Sequence, residues 1–331
     1  MIYPAFIRKG DTIGVTAPSL MVTEQTDRNR FDSAVSNLSK LGYRVLFTDH
    51  VFSEGPEKSQ VDTRVSELVE VFTDRDVSFV SLAKGGYGES ELIGHLDMDI
   101  LRRNPKWMQG YSDNTVLLFK YTVECDIATI YGGNFGDYGM IPWHRSISDD
   151  LGLLSGDLRR LESYDYHELG FHDRDTGVET ISDDQKTYWY TSTENCVMEG
   201  RMIGGCMDVL KWLMDTDSVD IRPFLEKYHD DSFIWFMETY QMTDEEISEF
   251  IGKMDEKGWL ENVSGFLFGR PLTYPNEEYR GYLGKLLSRY GVPMVFDVDI
   301  GHLAPRMPIM NGAMARVSAV SGKGAVEYRF L

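Results

Sequence analysis

Apolar and polar positions change period along this chain, and each change marks an element. Residues 11–19, Asp-Thr-Ile-Gly-Val-Thr-Ala-Pro-Ser, form a β-rich run that ends in a Pro turn, which predicts a first strand. Over residues 24–42, Phe31, Ala34, Val35, Leu38 and Leu41 recur at helical intervals, and Gly42 stands where a C-cap belongs. A helix with one buried face is expected there. Residues 43–47 read as a second short strand, and Val61, Val65, Leu68, Val69 and Phe72 as a second helix. Residues 77–83 read as a third strand leading into Gly85-Gly86-Tyr87-Gly88. Strand and helix alternating at this spacing build parallel βαβ units, so the N-terminal architecture is predicted to be a doubly wound α/β sheet.

The pattern weakens over residues 149–184, where 11 acidic residues stand against 3 basic ones and glycines interrupt the periodicity. A solvated linker or surface excursion is expected. Tyr188, Trp189 and Tyr190 follow, either as a buried strand or as the wall of a ligand cleft. The α/β alternation then resumes, with a helix over 204–214 and a strongly apolar strand over 232–237 that stops at Glu238. A capping box, Thr243-Asp244-Glu245-Glu246, opens another helix. Strands are expected at 263–269 and 292–297, with a helix over 276–290 between them. Residues 312–319 and 325–331 alternate as an antiparallel edge would. These shifts divide the chain into domains 1–148 and 191–331, joined by an acidic excursion over 149–190.

At 331 residues the chain can bury two cores. Its 53 acidic and 33 basic residues give a net charge of −20. That charge repels phosphate backbones and anionic lipid, and no basic patch offsets it, so neither nucleic acid nor membrane is an expected partner. Arg8 and Lys9 have no apolar segment behind them, and no apolar run approaches the ~18 residues of a membrane span. A cytoplasmic location is expected. Cys125, Cys196 and Cys206 form no C-x-x-C and are too few for a disulfide framework, which suits buried thiols in a reducing compartment.

Candidate chemistry centres on Trp107-Met108-Gln109-Gly110-Tyr111-Ser112-Asp113-Asn114-Thr115, an apolar run that turns at a serine and continues into an apolar helix. If the turn is a strand-to-helix elbow, Ser112 is presented as a nucleophile and the following N–H groups face a developing oxyanion. Alternatively, Ser112 is an N-cap, since Ser, Asp and Asn all satisfy a helix's first N–H groups. Asn114 stands where G-x-S-x-G has its last Gly. A serine nucleophile needs a base and a group that orients the base. Of seven histidines, His302 stands apart, in a Gly/Pro-rich loop after an apolar strand; it is a base or an ordinary loop histidine. Glu238 closes an apolar strand, where it orients an imidazole or simply meets water. Three Gly-rich turns, at 85–88, 110–113 and 131–136, fall at carboxyl ends of strands, where doubly wound sheets bind ligands. No metal or other cofactor is expected: there is no H-E-x-x-H, and G-G-Y-G-E-S does not fit the dinucleotide pattern G-x-G-x-x-G.

Taken in order, Gly10 to Gly14, Ala17-Pro18-Ser19, Gly85 to Gly88, Gly110-Tyr111-Ser112-Asp113, Tyr131-Gly132-Gly133, Gly204-Gly205, Glu238 and Gly301-His302 with Pro308 and Gly312 resemble the LD-carboxypeptidase and microcin C immunity family of serine peptidases. The resemblance implies an N-terminal Rossmann-like domain carrying the nucleophile and a C-terminal β-rich α/β domain supplying Glu and His, with the active site in the cleft between them. It assigns Ser112 as nucleophile, His302 as base, Glu238 as the orienting acid, and the N–H groups of Gly86 and Asp113 as the oxyanion hole. Where the family usually has Arg before the double Gly, this chain has Lys84, a point charge in place of a forked donor. Substrates on this resemblance are small and peptide-like or aminoacyl-nucleotide, and the assembly is a homodimer. The acidic excursion followed by Trp189 resembles the immunity branch, which cleaves an aminoacyl or peptidyl amide on a modified nucleotide, with Trp189 stacking on the base. The alternative is removal of a terminal D-amino acid from murein tetrapeptides. A non-catalytic binder that kept the cleft is a third reading, decided by whether His302 reaches Ser112.

Overall fold

The computed structural model describes residues 1–172, 174–272 and 276–330; Leu331, the last residue of the expected C-terminal strand, lies outside them. Strands β1 (Thr12–Thr16), β2 (Arg44–Phe47), β3 (Val77–Leu82), β4 (Trp107–Gly110) and β5 (Thr129–Tyr131) form a parallel sheet in the order β5-β4-β3-β1-β2. The helix Gln25–Lys40 buries Phe31, Ala34 and Leu38 and ends where Gly42 takes a φ of +95.

The acidic excursion supplies β6 (Arg160–Glu162), a small hairpin of β7 (Tyr166–His167) and β8 (Gln185–Lys186), and β9 (Tyr190–Thr191). Then come β10 (Asn195–Cys206), β11 (Phe233–Glu238), β12 (Val263–Gly269), β13 (Met294–Val298), β14 (Ile309–Asn311), β15 (Met314–Val320) and β16 (Lys323–Arg329). The second sheet runs β6-β16-β15-β10-β11-β12-β13-β9, with a parallel centre of β10 to β13 and antiparallel flanks. The fold is thus mixed α/β with two domains, as the alternation predicted.

Three expectations need correction. Residues 204–206 are the end of β10 rather than the start of a helix, which begins at Met207. A Cβ at Gly204 would lie 1.7 Å from the Phe236 carbonyl oxygen, so only glycine lets β10 approach β11 there. The alternating run near residue 314 is an interior strand, covered on one side by β10 and on the other by β16. Finally, β14 returns to the first sheet and pairs antiparallel with β5, so that sheet is not wholly parallel.

The helix Thr115–Cys125 is buried on almost every side, with Glu124 partly exposed, because it lies between the domains. Leu117, Leu118 and Tyr121 join the core of the first sheet, whereas Val116, Phe119 and Val123 join the core under β11 and β12. Trp259 stacks on both Phe119 and Trp235, with centroids 5.5 and 6.0 Å apart. The elbow that precedes this helix is therefore anchored by both cores. Among the described residues no helix is long and apolar enough to cross a membrane.

Candidate active site

Ser112 sits between β4 and the buried helix with a φ of +67. A side chain with a Cβ resists that region, at a cost of about 1–3 kcal/mol, so the surroundings must hold it. They do so through the three polar residues that follow it, Asp113, Asn114 and Thr115. Asp113 Oδ2 accepts the Ser19 hydroxyl at 2.6 Å and the Glu89 N–H at 3.0 Å. Asn114 Nδ2 donates to the Lys84 carbonyl at 3.2 Å and to Asn134 Oδ1 at 2.9 Å. The Thr115 hydroxyl donates to the Ser112 carbonyl at 2.6 Å. Neither the turn 112–114 nor the following helix has a side-chain cap, so the N-cap reading of Ser112 does not describe it. Its hydroxyl instead lies 2.9 Å from His302 Nε2.

His302 lies in the loop after β13, and its Nδ1 is 2.8 Å from Glu238 Oε2. Gly301 takes a φ of +102, and a Cβ there would lie 2.6 Å from the same carboxylate oxygen. The glycine before the histidine therefore makes room for the acid. Glu238 ends β11 fully buried, and its Oε1 accepts the Tyr131 hydroxyl at 2.5 Å. Burial pushes this carboxyl up, but the His302 imidazole and hydrogen bonds from His302, Tyr131 and Cys206 outweigh it and hold the group below its ordinary value. An ionised Glu238 accepts the Nδ1 proton, which leaves the Nε2 lone pair facing the Ser112 hydroxyl. Tyr240 and Tyr111 pack on the imidazole with centroids 4.9 and 5.5 Å away, which restricts rotation of the ring.

Two stretches of the chain match known domains. Residues 13–132 match the LD-carboxypeptidase N-terminal domain and residues 199–317 the LD-carboxypeptidase C-terminal domain. The chain belongs to the LD-carboxypeptidase family. It is a serine hydrolase by that membership. A probable murein peptide carboxypeptidase of Bacillus subtilis (strain 168) is 26% identical, over 98% of this chain and 94% of that protein. An MccF-like protein from Bacillus anthracis superposes with a TM-score of 0.83 at 21% identity, over 99% of this chain and 100% of that one. Microcin C7 self immunity protein MccF, solved in complex with aspartyl sulfamoyl adenosine, gives 0.79 at 18% identity, over 100% and 99%. These two structures share the fold.

In this serine hydrolase the Ser112 hydroxyl and His302 open onto a cleft of about 800 Å³. Gly86 and Asp113 also line it. Gly86 has a φ of +130, and a Cβ there would lie 2.4 Å from the Leu20 side chain, so the loop takes a form there that is open only to glycine. Lys84 lines the cleft and ion-pairs with Asp27. Trp189 does not reach it. The indole is 1% exposed, donates from Nε1 to Asp299 Oδ2 at 3.0 Å, and lies where a Cβ at Gly324 would be 1.9 Å from its ring. It is a core residue, and stacking on a ligand base is excluded by its burial. Trp189→Ala is expected to lower stability by about 3–5 kcal/mol, read by urea unfolding, as a cavity mutation rather than a change in substrate affinity.

Two aromatic residues that do face the cleft, Phe171 and Tyr240, were not singled out from the sequence. Phe171, 61% exposed on the acidic excursion, approaches Tyr240 with centroids 6.4 Å apart, and both line the cleft. Tyr240 lies two residues beyond Glu238, which is the signal that could have found it. Phe171 stands alone in a stretch without periodicity. Asp208 also lines the cleft, its carboxylate accepting the Thr239 hydroxyl at 2.9 Å and the Tyr240 N–H at 3.0 Å.

Proposed function

We propose that this enzyme hydrolyses an amide bond of a small acyl compound, with Ser112 as nucleophile, His302 as general base and then acid, and Glu238 as the group that orients the imidazole. The observation that carries the reading is the unbroken run from Ser112 Oγ to His302 Nε2 at 2.9 Å and from Nδ1 to Glu238 at 2.8 Å. Ser112 Oγ adds to the carbonyl carbon while its proton passes to Nε2. The C–N bond then breaks as Nε2 returns that proton to the leaving nitrogen, and water releases the acyl group by the same two steps. The N–H groups of Gly86 and Asp113 take the oxyanion role. The Asp113 carboxylate is already engaged by Ser19 and Glu89, which fixes the turn from which the second N–H is offered.

For the substrate, the reading is an aminoacyl or peptidyl group joined to a modified nucleotide. A cleft of about 800 Å³ exceeds what a single amino-acid leaving group fills, and the Phe171 and Tyr240 rings offer a face for a base. The second reading is a murein tetrapeptide losing its terminal D-amino acid, favoured by the murein peptide carboxypeptidase that aligns over nearly the whole chain. Digestion of both substrates, with products read by mass, separates them. Release of sulfamoyl adenosine from an aminoacyl sulfamoyl adenylate supports the first, and release of D-alanine alone the second.

The same array sets the pH response. Since Glu238 is held below its ordinary value, it stays ionised as the solution is acidified through neutrality. An imidazolium cannot accept the serine proton, so kcat/KM is expected to fall about tenfold per pH unit on the acid limb. A rate that climbs steadily on acidification would remove His302 as the base.

A further inference from the structure

Tyr131, the last residue of β5, is 2% exposed. Its hydroxyl donates to Glu238 Oε1 at 2.5 Å and accepts the Ser112 N–H at 3.2 Å. One oxygen thus joins the end of a strand in the second sheet to the backbone of the strained turn in the first. We propose that Tyr131 is a positioning residue of the hydrolytic array, its hydroxyl fixing the Glu238 carboxylate and the Ser112 turn in one geometry. The proposal deepens the catalytic reading above and rests on it.

Each of the two bonds meets a need of its partner, and at Glu238 the Cys206 thiol adds a weaker donor. Glu238 is fully buried and has two oxygens to satisfy; His302 takes Oε2, and the phenol takes Oε1. The Ser112 N–H, at a positive φ, lies outside the ladder of β4 and finds the phenol oxygen instead. The ring packs on Phe236 with centroids 5.6 Å apart, which sets the direction of the hydroxyl. Burial, and after it the charge on Glu238, pushes the phenol far above its ordinary value, so it remains a donor at any working pH. Besides His302 and Cys206, which bond to it, the titratable groups near enough to feel the Glu238 charge are Tyr111, Tyr279 and Arg306, with Asp208 acting on Cys206. Burial raises the Cys206 thiol and the two tyrosines, which stay neutral, and Arg306 stays charged. An acid limb in the reactivity of Ser112 therefore reports the His302 and Glu238 pair.

The test measures phosphonylation of Ser112 by a fluorophosphonate probe as a function of pH, with the adduct located by peptide mass. In that reaction Oγ bonds to phosphorus, fluoride leaves, and the proton goes to Nε2, so no natural substrate is required. Tyr131→Phe keeps the ring and removes the hydroxyl. The expected result is a maximal labelling rate about 10- to 100-fold lower, with probe affinity within about threefold. The acid limb should also move up by about one pH unit, because a carboxylate that has lost a donor holds the imidazolium more strongly. Installing 3,5-difluorotyrosine at 131, a stronger donor, should move the limb the other way, and it decides the matter if the Phe variant does not fold. Tyr138→Phe, which removes an equally buried hydroxyl 3.3 Å from Gln109 Oε1, should leave the rate and the limb unchanged. A Tyr131→Phe protein with wild-type rate and limb overturns the proposal, as does a slower protein whose limb has not moved. Failure of the wild type to label at Ser112 would overturn the catalytic reading as well, so the two failures are distinguishable.

Discussion

Ser112→Ala is expected to lower kcat for amide hydrolysis by about five to six orders of magnitude, leaving substrate affinity within a few-fold. The size follows from the array acting as a unit. On the proposed mechanism, loss of Oγ leaves His302 with no hydroxyl to activate, and what remains is the catalysis available from the proposed oxyanion donors and from binding. Affinity persists because the cleft is walled mainly by other residues, among them Lys84, Tyr87, Phe171 and Tyr240. The turn should survive too. Alanine carries the same Cβ as serine and meets the same resistance at a φ of +67, while the bonds from Thr115, Asn114 and Asp113 stay in place. Steady-state kinetics beside an equilibrium binding measurement separates the two effects. Loss of binding in parallel with loss of rate would make Ser112 a structural residue.

Glu238→Gln is expected to cost about three to four orders of magnitude in kcat with little change in stability. The carboxylate accepts on both oxygens, from Tyr131 at Oε1 and from His302 at Oε2. An amide has a single oxygen, so one of these donors must meet the NH2 group. If that donor is His302, the imidazole adopts the tautomer with its proton on Nε2 and can no longer accept from Ser112. Folding is affected less, because a neutral amide of the same shape is cheaper to bury than an ion in a site with no exposure. Thermal unfolding and kcat measured on one preparation check both halves. A variant with wild-type kcat would show that the imidazole is oriented by its aromatic neighbours alone.

Much of this was legible from apolar period and from a few residue types at the ends of apolar runs. The elements from β1 to β5 follow the alternation because each helix has one buried face and each strand is short and β-rich. Ser112, Glu238 and His302 were visible as polar residues placed where strands stop. What the pattern could not carry falls into two kinds. Some depends on register: Tyr188 and Tyr190 are 49% and 42% exposed while Trp189 between them is 1%, and a shift of one residue would have exchanged those faces. The rest depends on partners far apart in sequence. Gly204 looked like a helix start because its need for close approach lies in Phe236. β14 is three residues long and joins a sheet built mostly from the first 131 residues. The hydroxyl of Tyr131 finds a carboxylate 107 residues away, and no local spacing records that meeting.

Acylation of Ser112 during turnover is tested by intact-protein and peptide mass after acid quench within the first turnover of a cleavable acyl substrate. The expected result is a transient mass gain equal to the acyl group, located on the peptide containing Ser112 and absent from Ser112→Ala. Turnover that continues in Ser112→Ala at the wild-type rate, or an acyl group found on another residue, would contradict it.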